Sequence, residues 1–162
     1  MNKYLDGILV VEGTSDSAML SSFIKSPIFV TNGFETSKEL LNFLIKANKK
    51  YKIYILTDPD DSGSKIAENL SKTLQKVEIL TLQNPKFKKK IKHGVAELDY
   101  DYAKECFSKI LQEKSIFAET LTMSDISFIS SESLKEKFNV FGNKKSILKQ
   151  LNILGIKKED LL

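Results

Sequence analysis

The sequence predicts an α/β fold in which a mostly parallel four-stranded sheet is flanked by helices and followed by a small C-terminal helical module. The first supporting observation is four short apolar runs, each separated from the next by a segment with helical spacing of apolar residues. This β-α-β-α-β-α-β alternation is typical of a parallel sheet, because parallel strands need crossover connections. The second observation is two acidic turns, ILVVEGTSD and IYILTDPDDSG, which directly follow two of the apolar runs. Ligand sites in such sheets lie at the carboxyl ends of the strands, where these turns fall.

The elements follow one another in a regular order along the first half of the chain. The apolar runs predict strands within residues 4–12, 28–30, 52–57 and 77–82. The segments between them predict helices over residues 16–25, 40–47 and 66–74. Pro27 ends the first helix, and Pro59 ends the third strand because proline cannot donate to a central ladder. Thr36 or Ser37 is the expected cap of the second helix, with Glu39 following.

The second half of the chain has a different character. A further helix is predicted over residues 101–111, and a Ser/Thr-rich stretch then covers residues 115–133. Two short helical patterns follow at residues 134–141 and 144–154, separated by the turn Phe141-Gly142-Asn143. These changes predict an α/β domain over residues 1–113 and a helical module over residues 119–162.

Length and composition limit the function classes. A chain of 162 residues can bury a real core, and its single cysteine, Cys106, excludes an internal disulfide. No signal peptide is expected and no apolar run approaches the roughly 20 residues that a membrane span needs, so a cytoplasmic protein is expected. All 25 basic residues are Lys, and five of them lie in residues 84–94 together with Phe87 and no acid. This loop is either a solvated surface or a contact to phosphates.

The acidic turns predict a metal site. Asp58 and Asp60 are two residues apart on an extended backbone, so their carboxylates point to the same side. Glu12 from a neighbouring strand end would complete an all-oxygen cluster, which favours Mg²⁺, with Mn²⁺ also possible. The alternative is that these acids only cap helices and fill turns. Asp16, one helical turn after Glu12, is interpreted mainly as an acid that holds the start of the first helix, with a direct metal role as the alternative.

These motifs resemble those of a known domain. Glu-Gly-x-x-Asp after one strand and Asp-Pro-Asp-x-x-Gly after a later one are similar to the Toprim domain, which is the catalytic fold of topoisomerases, bacterial primases and some nucleases. VVEGTSD, the TNG turn at residues 31–33, ILTDPDDSGSKI and the C-terminal stretch FNVFGNKKSILKQLNILGIKKEDLL resemble more closely the ribonuclease M-five family. That family has Gly-Val-Glu after its basic loop. Here residues 94–97 read Gly-Val-Ala-Glu, so Glu97 is left out of the predicted metal set.

The resemblance implies a function. It implies a Mg²⁺-dependent endoribonuclease that cleaves a double-helical region of precursor 5S ribosomal RNA, with ribosomal protein uL-eighteen as the partner that presents the RNA. It places catalysis and metal binding on Glu12, Asp58 and Asp60, with Glu12 also as a general acid or base. Two alternatives stay open: another Toprim nuclease or a primase or topoisomerase fragment, and a non-catalytic RNA- or ribosome-binding protein on a Toprim scaffold. The candidate RNA contacts are lysines that alternatively are only solvated: Lys65, Lys88, Lys89, Lys90, Lys92, Lys144, Lys145 and Lys149.

Overall fold

The computed structural model describes residues 1–32, 36–58, 61–81 and 100–162. Its chain divides into two compact units. The first comprises Met1–Ser37 and Tyr51–Ile116, and the second comprises Lys38–Lys50 and Phe117–Leu162. The second unit therefore includes a segment from the first half of the sequence. The predicted domain limits, 1–113 and 119–162, stay a prediction.

Four strands and seven α-helices occur within the described ranges. In chain order they are β1 (Gly7–Val11), α1 (Thr14–Ser21), β2 (Ile28–Val30), α2 (Lys38–Asn48), β3 (Lys52–Leu56), α3 (Asp61–Thr73), β4 (Val77–Leu80), α4 (Tyr100–Ser108), α5 (Met123–Ile126), α6 (Ser131–Phe138) and α7 (Lys144–Ile153), with a 3₁₀ turn at Lys158–Leu161. Of the helices, α2, α5, α6 and α7 belong to the second unit.

The sheet of the first unit is parallel throughout the part that the structure describes. Its strand order is β2-β1-β3-β4, and each adjacent pair runs in the same direction. Val11, the last residue of β1, is aligned with Val30 of β2 on one side and with Leu56 of β3 on the other. The predicted α/β class with a four-stranded parallel sheet is confirmed. The carboxyl ends of β1, β2 and β3 consequently meet at one edge.

The central strands are buried on both faces, as the continuous apolar runs in the sequence indicate. All five residues of β1 are buried, as are the last four of β3. Alternate residues of β1 and β3 form one apolar cluster with residues of α1, β2 and α4 and of the segments next to these elements. The cluster contains Leu5, Leu9, Val11, Leu20, Phe23, Ile24, Ile28, Tyr54, Leu56, Ala103, Phe107 and Leu111. This period-two pattern fixes the register of the strands, because a slip of one residue would exchange the two faces.

The second unit has an apolar core of its own. This core contains Leu121, Ile126, Leu134, Val140, Ile147 and Leu151. Gln150 of α7 is fully buried and bonds both backbone groups of Phe141, accepting from its N–H at 3.2 Å and donating to its carbonyl at 2.7 Å. Lys46 of α2 donates to the carbonyls of Phe138 and Asn139 at the end of α6, both at 3.3 Å. Carbonyls at a helix C-terminus have no intrahelical partner, so Lys46 ties α2 to the C-terminal helices.

None of the helices in the described residues is both long enough and apolar enough to cross a membrane.

Candidate active site

The two acidic turns lie side by side at the carboxyl edge of the sheet. Glu12 directly follows β1, and Asp58 lies two residues after the end of β3. Because Val11 and Leu56 are aligned in the parallel pair, the chain leaves both strands at the same level. The backbone N–H of Asp58 donates a 2.5 Å hydrogen bond to Oε1 of Glu12. The structure thus brings together two of the three acids that the sequence selects.

An open pocket of about 400 Å³ lies at this edge, within the first unit. It is lined by Glu12, Gly13, Thr14, Asp16, Asn32 and Asp58. Three parallel strand ends contribute to it, since Asn32 follows β2, Glu12 follows β1 and Asp58 follows β3. The pocket therefore lies where ligands bind in sheets of this kind.

Asp16 is buried and holds the first turn of α1. Its Oδ2 accepts a 3.0 Å hydrogen bond from the backbone N–H of Gly13, the residue that caps the helix. The bond is the one expected of an acid that holds the start of a helix, and a direct metal role of Asp16 stays a prediction. The same side chain also lines the pocket, so the arrangement fixes the backbone directly after Glu12.

Gly63, in the first turn of α3, allows the close approach of the two acidic turns. A Cβ at this position would overlap the carbonyl oxygen of Asp58 and lie 2.5 Å from Oε1 of Glu12. Real Cβ atoms do not come so close to backbone atoms, so no other residue fits without moving the turn. The glycine of the Asp-Pro-Asp-x-x-Gly motif thus has a steric role at the site.

Gly13, unlike Gly63, has a backbone conformation and surroundings that do not require glycine. Gly13 has φ −127° and ψ 161°, an extended conformation that any residue adopts. A Cβ there would meet only Oδ2 of Asp16, at 3.4 Å, which is an ordinary contact. The presence of a glycine next to an acid in a turn motif does not by itself show that the position needs a positive φ or lacks space for a Cβ.

Asn32 is a pocket residue that the sequence did not select. Its backbone N–H donates to the carbonyl of Glu12 at 2.9 Å, and its φ of 59° lies in the left-handed region that Asn tolerates better than most residues. The TNG motif at residues 31–33 contributes to the family resemblance, but no site residue is predicted within it. The signal that could have identified Asn32 is the strand order, because β2 lies beside β1 and its end must adjoin Glu12.

A family comparison decides what kind of domain carries this pocket. The family model described as the Toprim domain matches residues 7–93, which is more than half of the chain and includes both acidic turns. The chain belongs to the Toprim family.

Relatives of this Toprim chain match it over nearly its full length. A protein named Ribonuclease M5 from Mycoplasma genitalium is 26% identical over 165 residues, covering 97% of this chain and 93% of the relative. Proteins of the same name from Mesoplasma florum and Bacillus subtilis are 29% and 26% identical, covering 95% and 96% of this chain and 94% and 90% of the relatives. The resemblance predicted from the motifs is confirmed.

Toprim domains typically bind a divalent metal, and the donors of this pocket suit a hard cation. Its side chains offer carboxylate, amide and hydroxyl oxygens and no sulfur or imidazole, which is the donor set that Mg²⁺ prefers. Among residues 1–32, 36–58, 61–81 and 100–162, no three His, Cys, Asp or Glu side chains form a group that could hold a metal. Asp60, the third predicted ligand, lies outside these residues, so the ligand set stays a prediction.

The candidate RNA-contacting lysines fall into three places. Lys65 is exposed on α3 of the Toprim domain, whereas Lys88, Lys89, Lys90 and Lys92 lie outside the described residues. The others are on α7 of the second unit, where Lys145 is exposed and Nζ of Lys144 donates to the carbonyl of Ser127 at 2.8 Å. Burial lowers the pKa of Lys149 to about 8, with the charge of Lys145 adding to the effect. Contact of any of these lysines with RNA stays a prediction.

Proposed function

We propose that this Toprim protein is a Mg²⁺-dependent endoribonuclease that cleaves precursor 5S ribosomal RNA in a double-helical region to give the mature RNA. One observation carries the proposal: Glu12 is hydrogen-bonded to the Asp58 turn in an open pocket at the carboxyl edge of the sheet. The chain that builds this pocket aligns over nearly its full length with relatives named as ribonucleases.

Each residue of the pocket has a distinct part in the proposed reaction. Glu12, Asp58 and Asp60 would hold Mg²⁺, and Mn²⁺ fits the same oxygen donors. When bound, the cation neutralises charge on the scissile phosphate, acidifies the attacking water and stabilises the leaving oxygen. Glu12 is oriented by the Asp58 N–H and serves as the general acid or base, a role that needs a carboxylate at a fixed position. Asp16 supports Glu12 indirectly by fixing the N–H of Gly13.

The proposed substrate sets the expected partners and location. Precursor 5S RNA would be presented by ribosomal protein uL-eighteen, and the reaction would take place in the cytoplasm, where ribosomes assemble. Lysines supply phosphate contacts, each of which makes binding weaker as salt concentration rises. The candidate contacts are Lys65, Lys88, Lys89, Lys90, Lys92, Lys144, Lys145 and Lys149.

The test is cleavage of end-labelled precursor 5S RNA with Mg²⁺, with Mn²⁺ and with excess EDTA, each with and without the ribosomal protein. The wild type is expected to give discrete products only with a divalent metal, and Asp58→Asn and Asp60→Asn are each expected to lose about a hundredfold or more in rate. Glu68→Gln is the matched control. It removes a carboxylate from the exposed Glu68–Lys72 pair on α3, outside the pocket, and should cleave like the wild type.

The outcome also separates the alternatives. Cleavage in EDTA, or wild-type rates for both Asp variants, would contradict the metal site. Tight binding of the precursor RNA without cleavage under any condition would favour a non-catalytic RNA-binding protein. Equal cleavage of precursor 5S RNA and of an unrelated DNA duplex would favour a different Toprim nuclease.

A further inference from the structure

The second unit presents one aromatic ring to solvent on a backbone that is held on both sides. Phe128 lies between α5 and α6 and is 84% exposed, more than any other large apolar residue of the described ranges apart from the two chain ends. Two residues before it, Ile126 is fully buried in the core of the unit, and the next residue, Ile129, packs against the same core. The N–H of Ile129 donates to the carbonyl of Ile126 at 3.1 Å. The exposure of Phe128 is therefore a property of an anchored turn.

A lysine side chain is bonded to the backbone next to Phe128. Nζ of Lys144 donates to the carbonyl of Ser127, the residue directly before Phe128, at 2.8 Å. Lys145, the next residue of α7, is exposed. The nearest acid before Phe128 is Asp125, and its negative charge is offset by two partners. Its carboxylate accepts a hydrogen bond from the N–H of Thr122 at 2.7 Å and lies 3.6 Å from Nζ of Lys158. These bonds keep the pKa of Asp125 below its usual value.

The charge of the chain is concentrated in the same unit. The second unit contains 11 lysines and 7 acidic residues, whereas the first contains 14 lysines and 14 acidic residues. The whole net charge of +4 thus belongs to the second unit. An exposed aromatic ring on a net positive unit, with a lysine bonded to the adjoining backbone, is a combination suited to unpaired nucleotides, because a ring can stack on a base while cations meet phosphates.

We propose that Phe128 stacks on an unpaired base of the RNA substrate while Lys144 and Lys145 contact the phosphates next to it. The proposal rests on the proposed function, since it assigns a further contact to the same substrate. Stacking needs no particular base, because every base has a π-face, so Phe128 would recognise an unpaired nucleotide rather than a sequence. Such a contact would let the enzyme distinguish a helix with adjoining unpaired residues from a continuous duplex.

The chain contains no tryptophan, so Phe128→Trp creates a single fluorescent reporter at the proposed contact. The variant would be titrated without divalent metal, which prevents cleavage, using a precursor 5S RNA transcript and a fully paired RNA duplex. Stacking should quench the tryptophan emission with the transcript and much less with the duplex. Ile45→Trp, at a 38% exposed position on α2 of the same unit, is the control and should show little change with either RNA.

Affinity measurements separate stacking from charge. Phe128→Ala should weaken binding of the transcript about tenfold with an unchanged salt dependence. Replacing both Lys144 and Lys145 by Met should instead flatten the log–log salt slope by about one unit for each lost contact.

Unquenched emission from Phe128→Trp at saturating transcript would overturn the proposal, even if the protein cleaves the RNA. A change of emission that appears only on adding the ribosomal protein would also overturn it and would assign Phe128 to a protein interface. Quenching by the transcript in a protein that cleaves no RNA would support this contact while contradicting the proposed nuclease activity.

Discussion

Oε1 of Glu12 accepts a hydrogen bond from the backbone N–H of Asp58, with 2.5 Å between the two atoms. The bond joins the residue after β1 to the turn after β3, so the Glu12 side chain has a structural role besides the chemical one proposed for it. The two roles can be separated because glutamine retains the accepting oxygen and loses only the charge.

Glu12→Gln and Glu12→Ala should therefore differ in stability but not in activity. Both variants lack the carboxylate and should lose nearly all cleavage of precursor 5S RNA. Only Glu12→Ala leaves the Asp58 N–H without this acceptor, which should lower the free energy of unfolding by about 1–3 kcal/mol relative to Glu12→Gln. Urea denaturation of both variants measures the difference. Equal stabilities would mean that the bond contributes nothing to the fold.

Gly63→Ala should damage the site by adding one methyl group. The new Cβ would overlap the Asp58 carbonyl oxygen and crowd Oε1 of Glu12, so the turn must shift. We expect a loss of about 1–3 kcal/mol in unfolding free energy and weaker binding of Mn²⁺, which can be measured by calorimetry and by electron paramagnetic resonance.

Gly13→Ala is the matched control for that change, because it adds the same methyl group beside the same pocket. Its extended φ and the 3.4 Å contact with Asp16 leave room for the Cβ. Its cost should stay below about 1 kcal/mol, with Mn²⁺ binding retained. A larger effect from Gly13→Ala than from Gly63→Ala would contradict the role assigned to Gly63.

Lys149 should make stability depend on pH in the alkaline range. Burial lowers its pKa from 10.5 to about 8, so between these values the unfolded chain binds more protons than the folded one. The free energy of unfolding contributed by this group should therefore rise as pH increases from about 8 to 10.5, and the penalty of burying the charge is fully present below pH 8. Lys149→Met should remove that rise, whereas Lys135→Met, at an exposed position on α6, should retain it. The free energy of unfolding of both variants can be measured by chemical denaturation at several pH values. If it depends on pH in the same way in both variants, the lowered pKa assigned to Lys149 is contradicted.

Removing the C-terminal segment should expose part of α2. Leu40, Phe43 and Leu44 are at most 2% exposed and belong to the second unit, and the Phe43 and Phe141 rings are 6.5 Å apart. A fragment that ends at Ile116 loses Phe141 and the carbonyls that Lys46 binds. We expect this fragment to bind a hydrophobic dye and to melt at a lower temperature than the full chain. A fragment that melts like the full chain without binding dye would instead support the predicted limits of 1–113 for the catalytic domain.

The strands, their parallel pairing and the meeting of Glu12 with Asp58 could be predicted because each depends on local patterns. Apolar runs followed by acidic turns give the strands and their ends. The crossover rule then brings the ends of β1 and β3 to one edge.

The features that were not predicted depend on contacts between residues distant in sequence. The membership of α2 in the second unit results from Lys46 and Phe43 meeting residues about 90 to 100 positions later. Asn32 lines the pocket only because β2 pairs with β1, and no single sequence motif predicts the order of the strands. The exposure of Phe128 was also not predictable, because the local sequence Ile-Ser-Phe-Ile at residues 126–129 is compatible with either a buried or an exposed Phe.

The uneven distribution of charge between the two units has a kinetic consequence. Long-range attraction accelerates the encounter of oppositely charged molecules, and here the net positive charge lies in the second unit, while the first unit has no net charge but contains the lysine-rich residues 84–94. RNA should therefore be captured by the second unit and the lysine-rich residues before it reaches the acidic pocket, whose carboxylates repel phosphate until a cation is present. Raising the ionic strength should slow this capture strongly while leaving the rate of cleavage within the assembled complex nearly constant.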